Sequence, residues 1–202
     1  MSNMVDDVYK GSQERNFLGH PIGLSICFLT EMWERFSYYG MRAILILYLT
    51  KYHLFGVDKA SMIYGAYAGL VYMMPIVGGY LADRYLGSRK AVTYGAILLV
   101  LGHGLMAFHG PAAYMDGENI IRDDFFINVF FLALALIIGG VGFLKANISR
   151  VVGALYGPND PRRDGGFSIF YMGINLGALL AMIVVGYVGE VHGWNYGFSI
   201  AG

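Results

Sequence analysis

Five apolar stretches, at approximately 21–50, 60–82, 91–109, 125–153 and 166–189, dominate this sequence. Each is long enough to cross a bilayer, which takes about 20 residues in helical conformation. Backbone amides in hydrocarbon must be paired within their own segment, so runs of this length are helices rather than isolated strands. No period-2 alternation of the β-barrel kind runs through them. The connections TKYHLFGVDK, DRYLGSRK, HGPAAYMDGENIIRDD and YGPNDPRRDG are rich in Gly, Pro, Asp and Asn, as turns are. A sixth apolar run opens at FSIAG, and the sequence ends there. The expectation is an all-α membrane protein with five full transmembrane helices and the start of a sixth. It reads as a fragment, with a cytoplasmic tail at 1–20 and a truncated bundle at 21–202.

Composition supports the membrane reading. Charged residues make up 14% of the chain, against roughly 25% in soluble domains, and mean hydropathy is +0.52. Net charge is zero, which gives no electrostatic case for a nucleic-acid partner. The single cysteine, Cys27, excludes a disulfide framework and a cysteine-rich metal site. No phosphate-binding loop, metal-ligand cluster or nucleophile–base pair is evident, so an enzyme is not expected. The 29 glycines suggest close helix packing, with Gly65/Gly69 and Gly173/Gly177 at contact-face spacing.

Basic residues set the expected orientation. With the N-terminus inside, Lys10, Arg15, Arg84, Arg89, Lys90, Arg150, Arg162 and Arg163 fall inside, and Lys51, Lys59 and Arg122 fall outside. Eight against three favours that orientation by the positive-inside rule. The first 20 residues lack the apolar core of a cleavable signal.

The first apolar segment holds Glu31, Glu34, Arg35 and Arg42. Each such charge at a bilayer centre costs about 2.5–3.5 kcal/mol on insertion scales, so four need a reason. At helical spacing, Glu31, Glu34, Arg35, Tyr38 and Arg42 share an arc of roughly 100°, with Tyr39 at its edge. This stripe faces either a water-filled cavity or partner charges. Local pairing is one solution, since Glu31 and Arg35 are four residues apart. A second involves Lys145, the one deep charge of the fourth segment. Lys145 sits about 9 Å inward of its helix centre and Glu31 about 6 Å inward of its own, whereas Arg42 lies about 10 Å outward. Matched depth makes a Lys145–glutamate pair the expectation, one whose protonation would free the lysine for an anion. Snorkelling of Lys145 to the headgroups is the plainer alternative.

Other positions carry less. Asp83, at a helix C-terminus where a carboxylate is disfavoured, is followed by Arg84, Arg89 and Lys90, which suggests a breakable latch between helices. Asn175 is a lone amide deep in an apolar run, expected to find a buried partner. His103 reads as a satisfied packing histidine. The sequon at Asn147-Ile-Ser149 lies within a span and carries no weight.

Four motifs now stand in order along the chain: Glu31-Met-Trp-Glu34-Arg35-Phe36-Ser-Tyr38-Tyr39-Gly40, GGYLADRYLGSRKAV at 78–92, the GxGxxKxN pattern at Gly140–Asn147, and FYMGINLGAL at 170–179. Together they resemble the proton-dependent oligopeptide transporter family of the major facilitator superfamily. The resemblance implies the N-terminal bundle of a proton-coupled di- and tripeptide symporter, lacking its C-terminal bundle and sitting in a bacterial inner membrane. It assigns proton coupling to Glu31, Glu34, Arg35 and Lys145. It assigns the peptide pocket to Tyr38, Tyr39, Arg42, Tyr72, Lys145 and Asn175, with Arg42 and Lys145 taking the carboxylate. No cofactor is implied beyond protons. Read alone, two cations say only "anion", so a carrier of nitrate or a drug-like anion stays open, as does a non-transporting scaffold.

Overall fold

The computed structural model describes residues 16–108 and 110–201. Lys10, Arg15 and most of the expected tail lie outside them. A two-residue hairpin, β1 (Asn16–Phe17) and β2 (His20–Pro21), leads into α1 (Gly23–Leu47). Then come α2 (Val57–Leu81), α3 (Ser88–Ala107), α4 (Asp124–Gly153), α5 (Arg163–Val191) and the short α6 (Trp194–Ala201). A wide π-helical turn closes α1 at Tyr48–Tyr52, and another closes α2 at Ala82–Leu86.

The long helices match the five apolar stretches to within a few residues at most ends. Four of them, α2 with its closing turn, α3, α4 and α5, are long and apolar enough to cross a membrane. The 25-residue α1 is as long as α2 but carries the four charges of its stripe. The connection between α3 and α4 is more ordered than expected. Its β3 (Tyr114–Asp116) and β4 (Asn119–Ile121) form an antiparallel hairpin around Gly117, whose φ of 60° suits glycine.

Local chemistry sets the ends. The Asp123 carboxylate accepts from the amides of Phe125 and Phe126, capping α4. Gly87, at φ 76°, turns the chain from α2 into α3, a backbone region that disfavours other residues.

Two packing layers result. α1 lies against α5 and α6, while α4 lies against both α2 and α3. Glycines bring α4 close to its neighbours. A Cβ on Gly95 would stand 2.7 Å from the Gly140 carbonyl oxygen, and one on Gly78 would strike the Gly142 carbonyl. Of the two pairs singled out by spacing, Gly173 and Gly177 do pack, against Phe28 and Met32 of α1, whereas Gly65 and Gly69 face open space. The α2 contact is made three turns further on, by Gly78, because Gly142 presents bare backbone there. The core joins Leu24, Met41, Ile44, Leu45 and Leu49 of α1 and its closing turn to Ile137 and Leu144 of α4 and Phe198 of α6.

Candidate functional site

The stripe on α1 turns into the bundle. Glu31, Glu34, Arg35 and Tyr38 are all buried, at 5% exposure or less. Arg35 takes both carboxylates: its Nε lies 3.3 Å from Glu31 Oε1, and its guanidinium also pairs with Glu34 Oε2. The spacings i, i+3 and i+4 on one helix place the three groups together before any other element contributes. Glu31 Oε2 and Glu34 Oε1 are buried without a hydrogen-bond partner.

The expected Lys145–glutamate ion pair is not formed here. Lys145, half-buried on α4, holds its ammonium 4.8 Å from the centre of the Tyr72 ring. The physical reason is proximity: Arg35 is one turn from Glu31 on the same helix and offers two carboxylates a planar fork, which a lysine on a facing helix does not match.

Aromatic rings join the cations. The Tyr38 ring has Arg35 at 5.5 Å and Arg42 at 5.7 Å, and it meets Tyr72 edge-on at 6.3 Å. Tyr72 thus links Tyr38 to Lys145. Arg42 donates from Nε to Tyr64 Oη at 2.9 Å, and Tyr67 stacks on Tyr38 at 6.4 Å. Tyr39 meets Tyr38 edge-on at 5.2 Å. Eight of the nine residues expected in the pocket or coupling site, all but Asn175, form this one connected patch. Tyr64 and Tyr67 extend it and were not anticipated. Their signal was present: with Ala60 and Val71 they follow a helical repeat along α2.

Asn175 is not part of this patch. It is exposed and donates its amide to the Tyr171 carbonyl, one turn back on its own helix, at 3.1 Å. An i−4 carbonyl is always within reach of a helical side chain, so a lone amide needs no partner elsewhere.

The expected latch has a definite partner. Asp83 pairs with Arg150, at the far end of α4, with both side chains about half exposed. Arg84 instead lies 5.7 Å from the Tyr85 ring centre. Arg89 lines a concavity of about 180 Å³ with Arg150, and Lys90 follows it in the first turn of α3.

His103 departs from its expected role. It is 2% exposed, and neither ring nitrogen has a hydrogen-bond partner. Asn147 is fully buried and donates to the Phe143 carbonyl at 2.8 Å.

The fold and site define a helical membrane protein built around a buried cluster of ionisable and aromatic side chains. Residues 89–202 match the POT family, and the chain belongs to that family. It is 46% identical over 201 residues to the uncharacterized transporter YclF of Bacillus subtilis, covering 97% of this chain and 38% of that protein. It is 45% identical to the peptide transporter YePEPT of Yersinia enterocolitica, covering 93% of this chain and 35% of the relative. A di-/tripeptide transporter of Lactococcus lactis is also 45% identical, with 93% and 36% covered. The crystal structure of a peptide transporter POT in complex with sulfate superposes with a TM-score of 0.84 at 44% identity, over 98% of this chain and 38% of that one. The chain therefore spans a little over a third of the length of the proteins it matches.

Proposed function

We propose that this chain is the N-terminal bundle of a proton-coupled symporter of di- and tripeptides, working by alternating access against a second bundle in the parent protein. The observation that carries the reading is the buried cluster on α1 joined through Tyr38 and Tyr72 to Lys145. Ionisable groups inside a membrane protein are expensive to keep, and they persist where they bind or move charge. Family membership and the names of the relatives give the substrate class.

In this reading Glu31 and Glu34 carry the coupling proton, and Arg35 and Lys145 compete for their carboxylates. Protonation of a glutamate weakens its hold on Arg35, and deprotonation restores it. Lys145 and Arg42, held on tyrosine faces, take the peptide carboxylate. Tyr38, Tyr39 and Tyr72 pack against the peptide backbone, and Asn175 offers its amide when the second bundle closes over it. Asp83 and Arg150 part when the carrier changes orientation, with Arg84, Arg89 and Lys90 forming the positive rim around them. The full reading has five spans, α1 included, and α6 as the start of a sixth, in the bacterial inner membrane with the N-terminus inside.

The test is uptake by the full-length parent in liposomes. An inward proton gradient should drive accumulation of a labelled dipeptide, and a tripeptide should compete while nitrate should not. Competition by nitrate but not by peptides would transfer the protein to the anion carriers. Residues 1–202 alone should insert without transporting, because alternating access needs a second bundle.

A further inference from the structure

The turn from α1 to α2 stands in a conformation that its own sequence disfavours. Leu54 has a φ of 50°, in the left-handed region where a Cβ crowds the backbone and glycine is the usual residue. The turns from α2 to α3 and from α5 to α6 place Gly87 and Gly193 at positive φ instead. The strained turn still keeps its backbone bonds. The His53 amide donates to the Tyr48 carbonyl at 3.1 Å, and the Phe55 amide to the Leu49 carbonyl at 2.9 Å.

What holds the turn comes from the end of the α3–α4 connection. Arg122 donates from Nε to the His53 carbonyl at 2.6 Å and from Nη2 to the Leu54 carbonyl at 2.8 Å. Its guanidinium also lies 4.4 Å from the centre of the buried Phe55 ring. One side chain thus grips three successive residues. Among the described residues no carboxylate lies within ion-pairing distance of Arg122, so its charge is directed at these carbonyls and this ring. The same connection is fastened to the end of α1 twice more. The Tyr52 hydroxyl donates to the Gly110 carbonyl at 2.5 Å, and the Ala113 amide donates to the Tyr52 carbonyl at 2.9 Å.

These contacts sit where the two packing layers are joined. α1 lies against α5 and α6, and α2 lies against α4. The aromatic patch crosses that boundary, from Tyr38 and Arg42 of α1 to Tyr64, Tyr67 and Tyr72 of α2 and on to Lys145 of α4. The α1–α2 turn is the covalent link between the two sides of the patch, and Arg122 reaches it from the start of α4. Backbone strain persists only where the surroundings over-determine it, and it gathers at functional clamps and switches. We propose that the α1–α2 turn is a hinge between the layers and that Arg122, by holding it in the left-handed conformation, is a positioning residue for the peptide site. Its grip sets the tyrosines of α2 against the charged face of α1. The inference rests on the proton-symport reading and extends it to a residue outside the cluster.

The experiment compares Arg122→Gln, Arg122→Lys, Leu54→Gly and the Arg122→Gln/Leu54→Gly pair in the full-length parent. Without its clamp the turn relaxes and the binding-competent arrangement is populated only in part, which raises the apparent dissociation constant by that fraction. Arg122→Gln should therefore raise the KM for dipeptide uptake about tenfold while leaving the rate at saturating peptide nearly unchanged. Arg122→Lys keeps the charge but loses the planar fork, so its KM should fall between those of Arg122→Gln and the wild type. Glycine takes the left-handed region without being held. Leu54→Gly alone should keep the wild-type KM, and in the pair it should bring the KM back toward that value. A wild-type KM in both Arg122 variants, a loss of saturating rate with KM unmoved, or no recovery in the pair would overturn the proposal. A second readout does not depend on transport. Hydrogen exchange at the His53 and Phe55 amides should quicken in Arg122→Gln and slow again in the pair. Unchanged exchange in Arg122→Gln overturns the hinge even if peptide uptake is normal. A wild type that fails to import peptide, with the exchange differences present, overturns the symport reading alone.

Discussion

Two carboxylate–arginine contacts illustrate how burial decides what an ion pair is for. In the middle of α1, Arg35 holds Glu31 and Glu34 with side chains no more than 6% exposed. At the end of the α2–α4 interface, Asp83 holds Arg150 with both side chains 53% exposed. The chemistry is the same, but water competes for the second pair and not for the first. A surface pair is worth about 0–1 kcal/mol and can open readily. Removing one member of a buried pair leaves an uncompensated charge, at about 3–5 kcal/mol. In the proposed symport reading, the first arrangement suits a site whose charge state is switched by a proton, and the second suits a contact that breaks and re-forms as the carrier changes orientation.

The largest expected effect breaks the buried side of this comparison. Arg35→Ala should destabilise the protein by about 3–5 kcal/mol, because two carboxylates lose their common partner. Thermal unfolding in detergent measures it, and recovery on adding Glu31→Gln and Glu34→Gln would confirm that stranded charge is the cause. Next comes the packing beneath the exposed pair. Gly78→Ala should cost about 1–3 kcal/mol, since the new methyl meets the Gly142 backbone, which cannot move aside as a side chain would. Gly65→Ala, into open space, should leave the melting temperature unchanged. Asp83→Asn should alter stability by no more than about 1 kcal/mol while changing the rate of dipeptide uptake. A stability loss as large as that of Arg35→Ala would erase the distinction between the two pairs.

The smallest effect lies in the connection between α4 and α5. The Arg162 guanidinium, bonded to Asp160 through Nε at 3.0 Å and Nη2 at 2.7 Å, lowers that carboxyl from its usual range to about 2. A depressed folded-state value contributes stability that is present above the unfolded value of 3.8 and is lost as pH falls through about 2. Asp160→Asn should therefore lose a small stability contribution above about pH 4, and its difference from the wild type should vanish as pH falls through about 2. Unfolding followed by circular dichroism across that range would detect it.

Much of this was legible in the residues. The apolar runs give the long helices because a bilayer-length segment has few other ways to satisfy its backbone. The charged face of α1 follows from 100° per residue. The choice between two cations does not: depth along a helix axis matched Lys145 to the glutamates, but an arginine one turn away reaches them first. Glycine spacing likewise marked Gly65 and Gly69, although the contact falls at Gly78, because a small residue becomes an interface only where the facing helix also exposes backbone. Arg150 escaped notice as the partner of Asp83 since 67 residues separate them and only the fold brings them together. His103 was taken as satisfied because most buried histidines are, and its lack of partners shows only in the fold.

The central claim is that the α1 carboxylates carry the coupling proton, and one comparison tests it most directly. In the full-length parent reconstituted in liposomes, Glu34→Gln should lose dipeptide accumulation driven by an inward proton gradient while retaining exchange of labelled for unlabelled dipeptide across the same membrane. Proton-driven accumulation at the wild-type level in both Glu34→Gln and Glu31→Gln would contradict the account.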